Sequence, residues 1–457
     1  MNMEEIKGMI GLEIHTYLVT KEKLFCRCTA SRERGLQPNI YVCPICTGQP
    51  GAKPMLPNKE GVKKAVQIGL MLGCRINEKL IWQRKHYNWP DLPKGYQETL
   101  SGAYAIPVGE EGKFFGIKIR SMHLEEDPAS WNPETGEVDY NRSGLPLVEI
   151  VTEPDFSTPE EVTNWLKKLL HNMDYLKCVD SNAGIKVDIN VNIPGKTERV
   201  EIKNINSLES IEKAIKYEFE RQSKEGGKKK ETRRWDNAKG ETMLMRSKEC
   251  AEDYRFISDP DLQDIVLDKE FIEKIKKTIP ESPEKKLEKL IEKHNIDKKN
   301  AEILAKNIDI VEFFERVVDK VDAKVALPWV TVELLRFLNY NKKKLDEVNI
   351  EVEHFISLLK LVKEGKITPL KGKEILNKFY PKSFMPSAES GEKISDSREL
   401  KQIAEKVIKN NSKAVNDYKK GEQKAFDFLM GEIMKATQKR ADFKIAREIL
   451  QKLLNSN

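Results

Sequence analysis

The chain has 457 residues, 39% of them hydrophobic and 33% charged, with a formal net charge of +6. A chain of this length is expected to form about three domains. With no run of roughly 18 apolar residues and no signal-peptide pattern, it is expected to be cytoplasmic, with no membrane partner. Seven cysteines, an odd number with four clustered between Cys26 and Cys46, exclude a disulfide scaffold and point to metal.

In chain order, Met9–Ile14 reads as a strand, and alternation puts Glu13 and His15 on one of its faces. Lys59–Leu72 has helical periodicity, Arg84–Asp91 interleaves cations with aromatics, and Gly116–Arg120 is strand-like. His123 and Glu125 repeat the Glu/His spacing, followed directly by Glu126 and Asp127. Leu147–Val151 reads as a buried strand with Glu149 inside it, and a buried carboxylate is costly unless a cation or strong donors meet it. Thr158-Pro159-Glu160-Glu161 starts a helix over Pro159–Met173, with Thr158 as its cap. Strands at Lys186–Val191 and Val200–Lys203 and a helix at Ser210–Gln222 follow, and Gly226-Gly227-Lys228-Lys229-Lys230 suggests a basic hairpin loop. This is an α+β pattern and not a regular βαβ series.

Pro280-Glu281-Ser282-Pro283 marks a boundary, beyond which the periodicity predicts helices at Lys285–His294, Asn300–Val318, Lys324–Asn339 and Val352–Lys363. Residues 383–397 read as a linker. In the tail, Phe426, Leu429, Met430, Ile433 and Met434 form a helical core stripe. The domains expected are therefore 1–285, 286–395 and 396–457. Residues 398–457 carry 14 lysines and arginines against 8 acids, while the rest of the chain balances to zero. A basic tail on a neutral body suits a polyanion such as tRNA, and equally a solvated lysine-rich helix face.

Three constellations carry chemistry. Cys26-x-Cys28 and Cys43-x2-Cys46, 14 residues apart, approach the spacing of a structural tetrathiolate zinc site, against four plain reduced thiols. Cys74, Cys178 and Cys250 read as ordinary buried thiols. Glu13, His15, Glu125 and Glu149, set in strands, suit a divalent cation that meets a nucleotide phosphate. Lys203 beside Glu201, Arg246 and Arg255 could steady a transferring phosphoryl group. There is no P-loop, no Gly-x-Gly-x-x-Gly after a strand and no Gly/Ser-rich nucleophile segment.

Taken together and in this order, Gly11–His15, the Cys26–Cys46 segment, Arg84–Asp91, His123–Asp127, Asp139–Asp155, Val200–Ser207 and Met245–Leu262 resemble the GatB/GatE family, the B subunits of tRNA-dependent aspartyl/glutamyl amidotransferases. The tail from Asn411 to Ala436 is similar to the family's YqeY-like domain, and 457 residues leave no room for the insertion of the E branch. The resemblance implies a glutamine synthetase/guanido kinase-like antiparallel cradle with a zinc ribbon-like insert, then two all-α domains. It implies an ATP-dependent carbon–nitrogen ligase that phosphorylates the side-chain carboxylate of misacylated Asp-tRNA(Asn) or Glu-tRNA(Gln). Ammonia from a glutaminase A subunit then replaces the phosphate, in a heterotrimer that also includes a bracing C subunit. By the same resemblance His15, Glu13, Glu125 and Glu149 would hold Mg2+, and Cys26, Cys28, Cys43 and Cys46 would hold zinc. Glu125, Glu126, Lys203 and Arg255 would be catalytic, while Asp188, Asn204, Lys85 and Tyr87 would contact ATP or the acyl acceptor. A non-catalytic zinc-ribbon tRNA-binding protein is the alternative, and a carboxylate-metal hydrolase a third reading.

Overall fold

A computed structural model describes residues 8–455 apart from 34, 181–182, 228, 248–253 and 388–392, and without the side chains of residues 204, 246 and 247. Two compact units divide at residues 282 and 283. The first is built on a 12-stranded sheet. Its strands are β1 (Met9–Tyr17), β2 (Arg75–Ile76), β3 (Gln83–Lys85), β4 (Gln97–Thr99), β5 (Gly109–Phe114) and β6 (Ile117–Glu126). They continue with β7 (Pro146–Thr152), β8 (Lys186–Asn192), β9 (Val200–Ile205), β10 (Glu231–Asp236), β11 (Glu241–Ser247) and β12 (Ile257–Ser258).

The strands are ordered β11-β10-β9-β8-β1-β7-β6-β4-β3-β12, with β5 pairing both β6 and β2. Every pair is antiparallel except β9 with β10. The parallel pair needs a crossover, and the helix Leu208–Glu225 supplies it. Gly226 and Gly227 are therefore the exit from that helix and not part of a hairpin turn: Gly226 caps the helix at φ +68°, a value glycine adopts without strain, and Gly227 bridges Thr197 in parallel, while Lys228 lies outside the described residues.

One sheet face is apolar. Ile10, Leu12 and Ile14, with Met122, Leu124, Val148, Ile150, Val187, Ile189 and Val191, pack against the helices Lys59–Met71, Pro159–Leu176 and Leu208–Glu225. Thr158 caps the second helix as expected, in a full capping box with Glu161. Period-two alternation then sends the intervening residues of the same strands, acids and imidazoles among them, to the opposite face.

The second unit, residues 283–455, is helical apart from isolated bridges among its described residues. The helix expected over Asn300–Val318 is two, Lys298–Leu304 and Ile308–Val318, because Asn307 caps the second by accepting from the N–H groups of Asp309 and Ile310. Lys324–Asn339 is likewise interrupted. Pro328 withdraws a backbone donor, and the next six residues, Trp329–Leu334, take a π-helical turn before the α-helix resumes. In the tail, Phe426, Leu429, Met430, Ile433 and Met434 form a core with Leu400, Ala404, Leu450 and Leu454.

Candidate active site

The polar face of the first unit's sheet is organised in rows by strand register. His15 on β1 lies opposite Lys186 on β8 and Glu149 on β7, and Glu149 lies opposite His123 on β6. One row is thus Lys186–His15–Glu149–His123. On one side of it runs Asp188–Glu13, and on the other Tyr17–Leu147–Glu125–Thr99. Of these, Lys186, His15, Asp188, Tyr17, Leu147 and Glu125 line a cavity of about 390 Å³ that also includes Lys85, Tyr87, Trp89, Asp127, Lys203 and Tyr254.

His15, Glu125 and Glu149 converge, with ligand atoms within 4.8 Å of one another. Glu149 is 8% exposed. His123 Nδ1 stands 2.7 Å from one of its oxygens and His15 Nε2 3.5 Å from the other. Burial pushes the Glu149 carboxyl upward, but the two imidazoles outweigh it and hold the group well below the usual range. His15 shows the counterpart: burial pushes it down, while the Glu149 carboxylate, with Glu125 and Asp188 nearby, raises it to about 9. Glu125 is held by neutral groups. Gln97 Nε2 donates to it at 3.2 Å and the Thr99 hydroxyl donates to its other oxygen, so these two donors set its rotamer.

Glu13 belongs to a second group, with Asp188 and Glu201, whose ligand atoms also lie within 4.8 Å of one another. Lys203 sits among these acids, 3.1 Å from Asp188 and 2.6 Å from Glu201, and Asn190 Nδ2 donates to Glu13 at 3.1 Å. Burial, reinforced by Glu149, Glu201 and Asp188, pushes the Glu13 carboxyl upward. The acids expected to form one site are therefore two adjacent groups.

Glu126 is not with them. Alternation turns it away from Glu125, and it pairs with the Lys94 ammonium at 2.5 Å and accepts from the Glu98 N–H at 3.0 Å. Beside it, Glu98 is fully buried, neither of its oxygens has a donor, and burial raises its pKa to about 10. Asp259 is held down by Glu98 and by Arg84, whose Nε donates to it at 2.6 Å, against the effect of burial. Lys85 and Tyr87 line the cavity, Lys85 with its ammonium 5.0 Å from the Tyr254 ring. Arg255 is exposed, and its Nη2 donates to Asn88 Oδ1 at 3.1 Å. Asn204 lies on β9, but its side chain is outside the described residues, as are the side chain of Arg246 and all of Cys250.

Sequence reasoning missed Lys186. It lines the cavity on the imidazole row and has no ion-pair partner among the described residues, and burial pushes its pKa down. A lone lysine at a strand start resembles any surface lysine; its pairing with His15 marks it out. Asp127 was noted only as one of a run of acids. It accepts from the Tyr17 hydroxyl at 2.8 Å and pairs with Arg142 at 3.0 Å, while Arg32 lies 3.3 Å over the Tyr17 ring.

The four clustered cysteines converge as the spacing implied, with all sulfurs within 4.8 Å. Cys46 Sγ lies 3.8 Å from Cys43 Sγ and 4.0 Å from Cys28 Sγ. Those separations match the roughly 3.8 Å edge of a tetrahedron with 2.3 Å metal–sulfur bonds. A hydrogen bond from Cys26 lowers the Cys46 thiol, assisted by the ammonium of Lys23, which is 1% exposed. The donor set suits zinc, which would tie residues 26–46 to one point.

The unit that carries this sheet and its cleft is matched over residues 8–273 by the profile of the GatB/GatE catalytic domain. A second profile, described as a GatB domain, matches residues 312–454. The chain is 43% identical to the B subunit of the aspartyl/glutamyl-tRNA(Asn/Gln) amidotransferase of Methanocaldococcus jannaschii, over 99% of both chains. It is 40% identical to the corresponding B subunit of Methanopyrus kandleri over the whole of both chains, and 40% identical to that of Methanococcus maripaludis strain C6 over 99% of both. The chain belongs to the family of amidotransferase B subunits.

The site geometry can be checked by metal binding. Because His15 is protonated below about pH 9 without a metal and must be neutral to ligate one, Mn2+ or Mg2+ binding should release a proton. The apparent affinity should rise about tenfold per pH unit between pH 7 and 9, then level off. Calorimetry in buffers of different ionisation enthalpy measures the proton release; a pH-independent affinity, or one that His15→Gln leaves equally steep, refutes His15 ligation. For the cysteines, the purified chain should hold one zinc by elemental analysis, and Cys43→Ser should lose it and lower Tm by roughly 5 °C or more. Full thermal stability without zinc would remove the structural role.

Proposed function

We propose that this chain is the transamidase component of a tRNA-dependent amidotransferase, acting on Asp-tRNA(Asn), Glu-tRNA(Gln) or both. The observation that carries the reading is the His15/Glu125/Glu149 group, which reaches through His15 and Glu125 the same cleft that the Glu13/Asp188/Glu201 group reaches through Asp188 and that Lys186 lines. A protein that only binds tRNA has no use for a carboxylate buried between two imidazoles.

In this reading ATP is the phosphoryl donor. An oxygen of the substrate's side-chain carboxylate attacks the γ-phosphorus, the bond to the β-phosphate oxygen breaks, and ADP leaves. Ammonia then attacks the acyl carbon, the carbon–oxygen bond to phosphate breaks, and the nitrogen gives up a proton to leave the amide. Mg2+ bound by His15, Glu125 and Glu149, and by the Glu13 group, would neutralise phosphate charge and align the transferring group. Both donor sets suit a hard divalent cation, with two or three carboxylates each.

The protein side chains have separate tasks. Gln97 and Thr99 hold the Glu125 carboxylate in one rotamer, and His123 does the same for Glu149. Lys186, placed on the imidazole row, meets the anionic oxygens of the acyl phosphate. Lys203 contributes at the transferring phosphates, Lys85, Tyr87 and Arg255 at the acceptor side, and Asp188 and Asn204 beside the nucleotide. Glu126 acts one step removed, through Lys94 and the Gln97 segment. An A subunit supplies ammonia from glutamine and a C subunit steadies the pair, in keeping with the naming of the relatives. The domain plan is a catalytic cradle over 1–285, a helical domain over 286–395 and a basic tail over 396–457 that grips the tRNA body through its phosphates.

An amidation assay with the A, B and C subunits and both misacylated tRNAs tests the reading. Glu125→Ala should lose at least a hundredfold in ATP-dependent amidation while binding tRNA nearly as well as wild type. Near-normal turnover in that variant would displace the active site from this cleft. Removing residues 398–457 should raise the KM for charged tRNA and weaken a gel shift in a salt-dependent manner; unchanged binding at physiological salt would dismiss the tail's role.

A further inference from the structure

The cleft wall carries one indole, Trp89, and a second, Trp131, packs against it; the chemistry above uses neither. Trp89 is 50% exposed and lines the same cavity as His15 and Glu125. Its ring centroid is 5.5 Å from that of Trp131, with the planes at 75°. In such an edge-to-face pair each ring keeps at least one face clear of its partner. Arg255 is tied to the same loop, donating to Asn88, the residue before Trp89. That bond uses one of five guanidinium N–H donors, and Arg255 has no ion pair among the described residues. An open indole face next to an uncommitted guanidinium is the pairing that recognises an unstacked nucleotide, base on the ring and phosphate on the cation.

The amino acid of a charged tRNA is esterified to its terminal ribose, which also bears the terminal adenine. If the side-chain carboxylate reaches the metal group on the cleft floor, the ribose stands at the mouth and the adenine lies on the rim. ATP also carries adenine, but its triphosphate suits the Glu13/Asp188/Glu201 group with Lys203, which spans β1, β8 and β9. Trp89 follows β3, near the other end of the strand order.

We propose that Trp89 and Trp131 form a stacking site for the unpaired 3′-terminal adenosine of the charged tRNA, with Arg255 on the adjoining phosphate. This rests on the amidotransferase reading and adds to it the residues that seat the acceptor end.

The test uses the full-length chain in its complex with the A and C subunits. Trp89→Ala should raise the KM for charged tRNA on the order of tenfold, the scale of losing one base–aromatic stack, and leave the KM for ATP unchanged. Trp131→Ala should act in the same direction, and Trp89→Phe, which keeps an aromatic face, should restore most of the loss. The trinucleotide CCA should quench the intrinsic fluorescence of the wild-type chain and leave that of Trp89→Ala unaltered. An unchanged KM for tRNA, a shift confined to the KM for ATP, or an equal loss in Trp89→Phe overturns the stacking site. A wild-type complex that fails to amidate either tRNA overturns the amidotransferase reading itself. A wild type that amidates but is indifferent to Trp89→Ala overturns only the stacking site.

Discussion

Glu149 is an ionised carboxylate inside a sheet, and its charge is what the neighbouring strands are arranged to accommodate. A single buried carboxylate costs several kcal/mol unless it is matched. Here the match comes from both sides at once, His15 on β1 and His123 on β6, each at a directly opposed register position. A slip of one residue in either pairing would send an imidazole into the apolar core and leave Glu149 unmet. The chemistry of the polar face and the packing of Ile14, Met122, Val148 and Ile150 on the other face therefore enforce the same register.

The division of the sheet into an apolar face under helices and a polar face over a cleft also explains where the remaining charges went. Glu126 and Glu98 sit on the far side of β6 and β4 from His15, Glu125 and Glu149, and there the Lys94 ammonium meets Glu126 while burial raises the Glu98 carboxyl. Buried charge is thus of two kinds. On one face it is closed upon itself. On the other it is met by imidazoles, as with Glu149, by Lys203, as with Asp188 and Glu201, by neutral donors, as with Glu125, or turned toward the cleft, as with Lys186.

Much of this could be read in the sequence, because alternation is a local property. It put Glu13 with His15 and His123 with Glu125 on common faces, and taken one residue further it would have turned Glu126 away from Glu125. The cysteine spacing likewise carried its own geometry. What alternation cannot convey is which strand lies beside which. The split of the acids into two groups, and the placing of Lys186 beside His15, are consequences of pairing between segments more than a hundred residues apart. The helix breaks at Asn307 and after Pro328 had visible causes in those two residues, but apolar periodicity ran through both and concealed them.

The lysine among the second group of acids gives the cleft a property of its own. With Lys203 bridging Asp188 and Glu201, that part of the sheet has a counter-charge before any ion arrives. Mutual repulsion among three close carboxylates is held in check without bending the strands that carry them. Were an ion to take that place, the side to yield would be a flexible four-carbon stem, and the backbone could stay where it is. The cleft would in this sense be a socket kept to shape by a removable plug, and one sheet could serve it empty or filled.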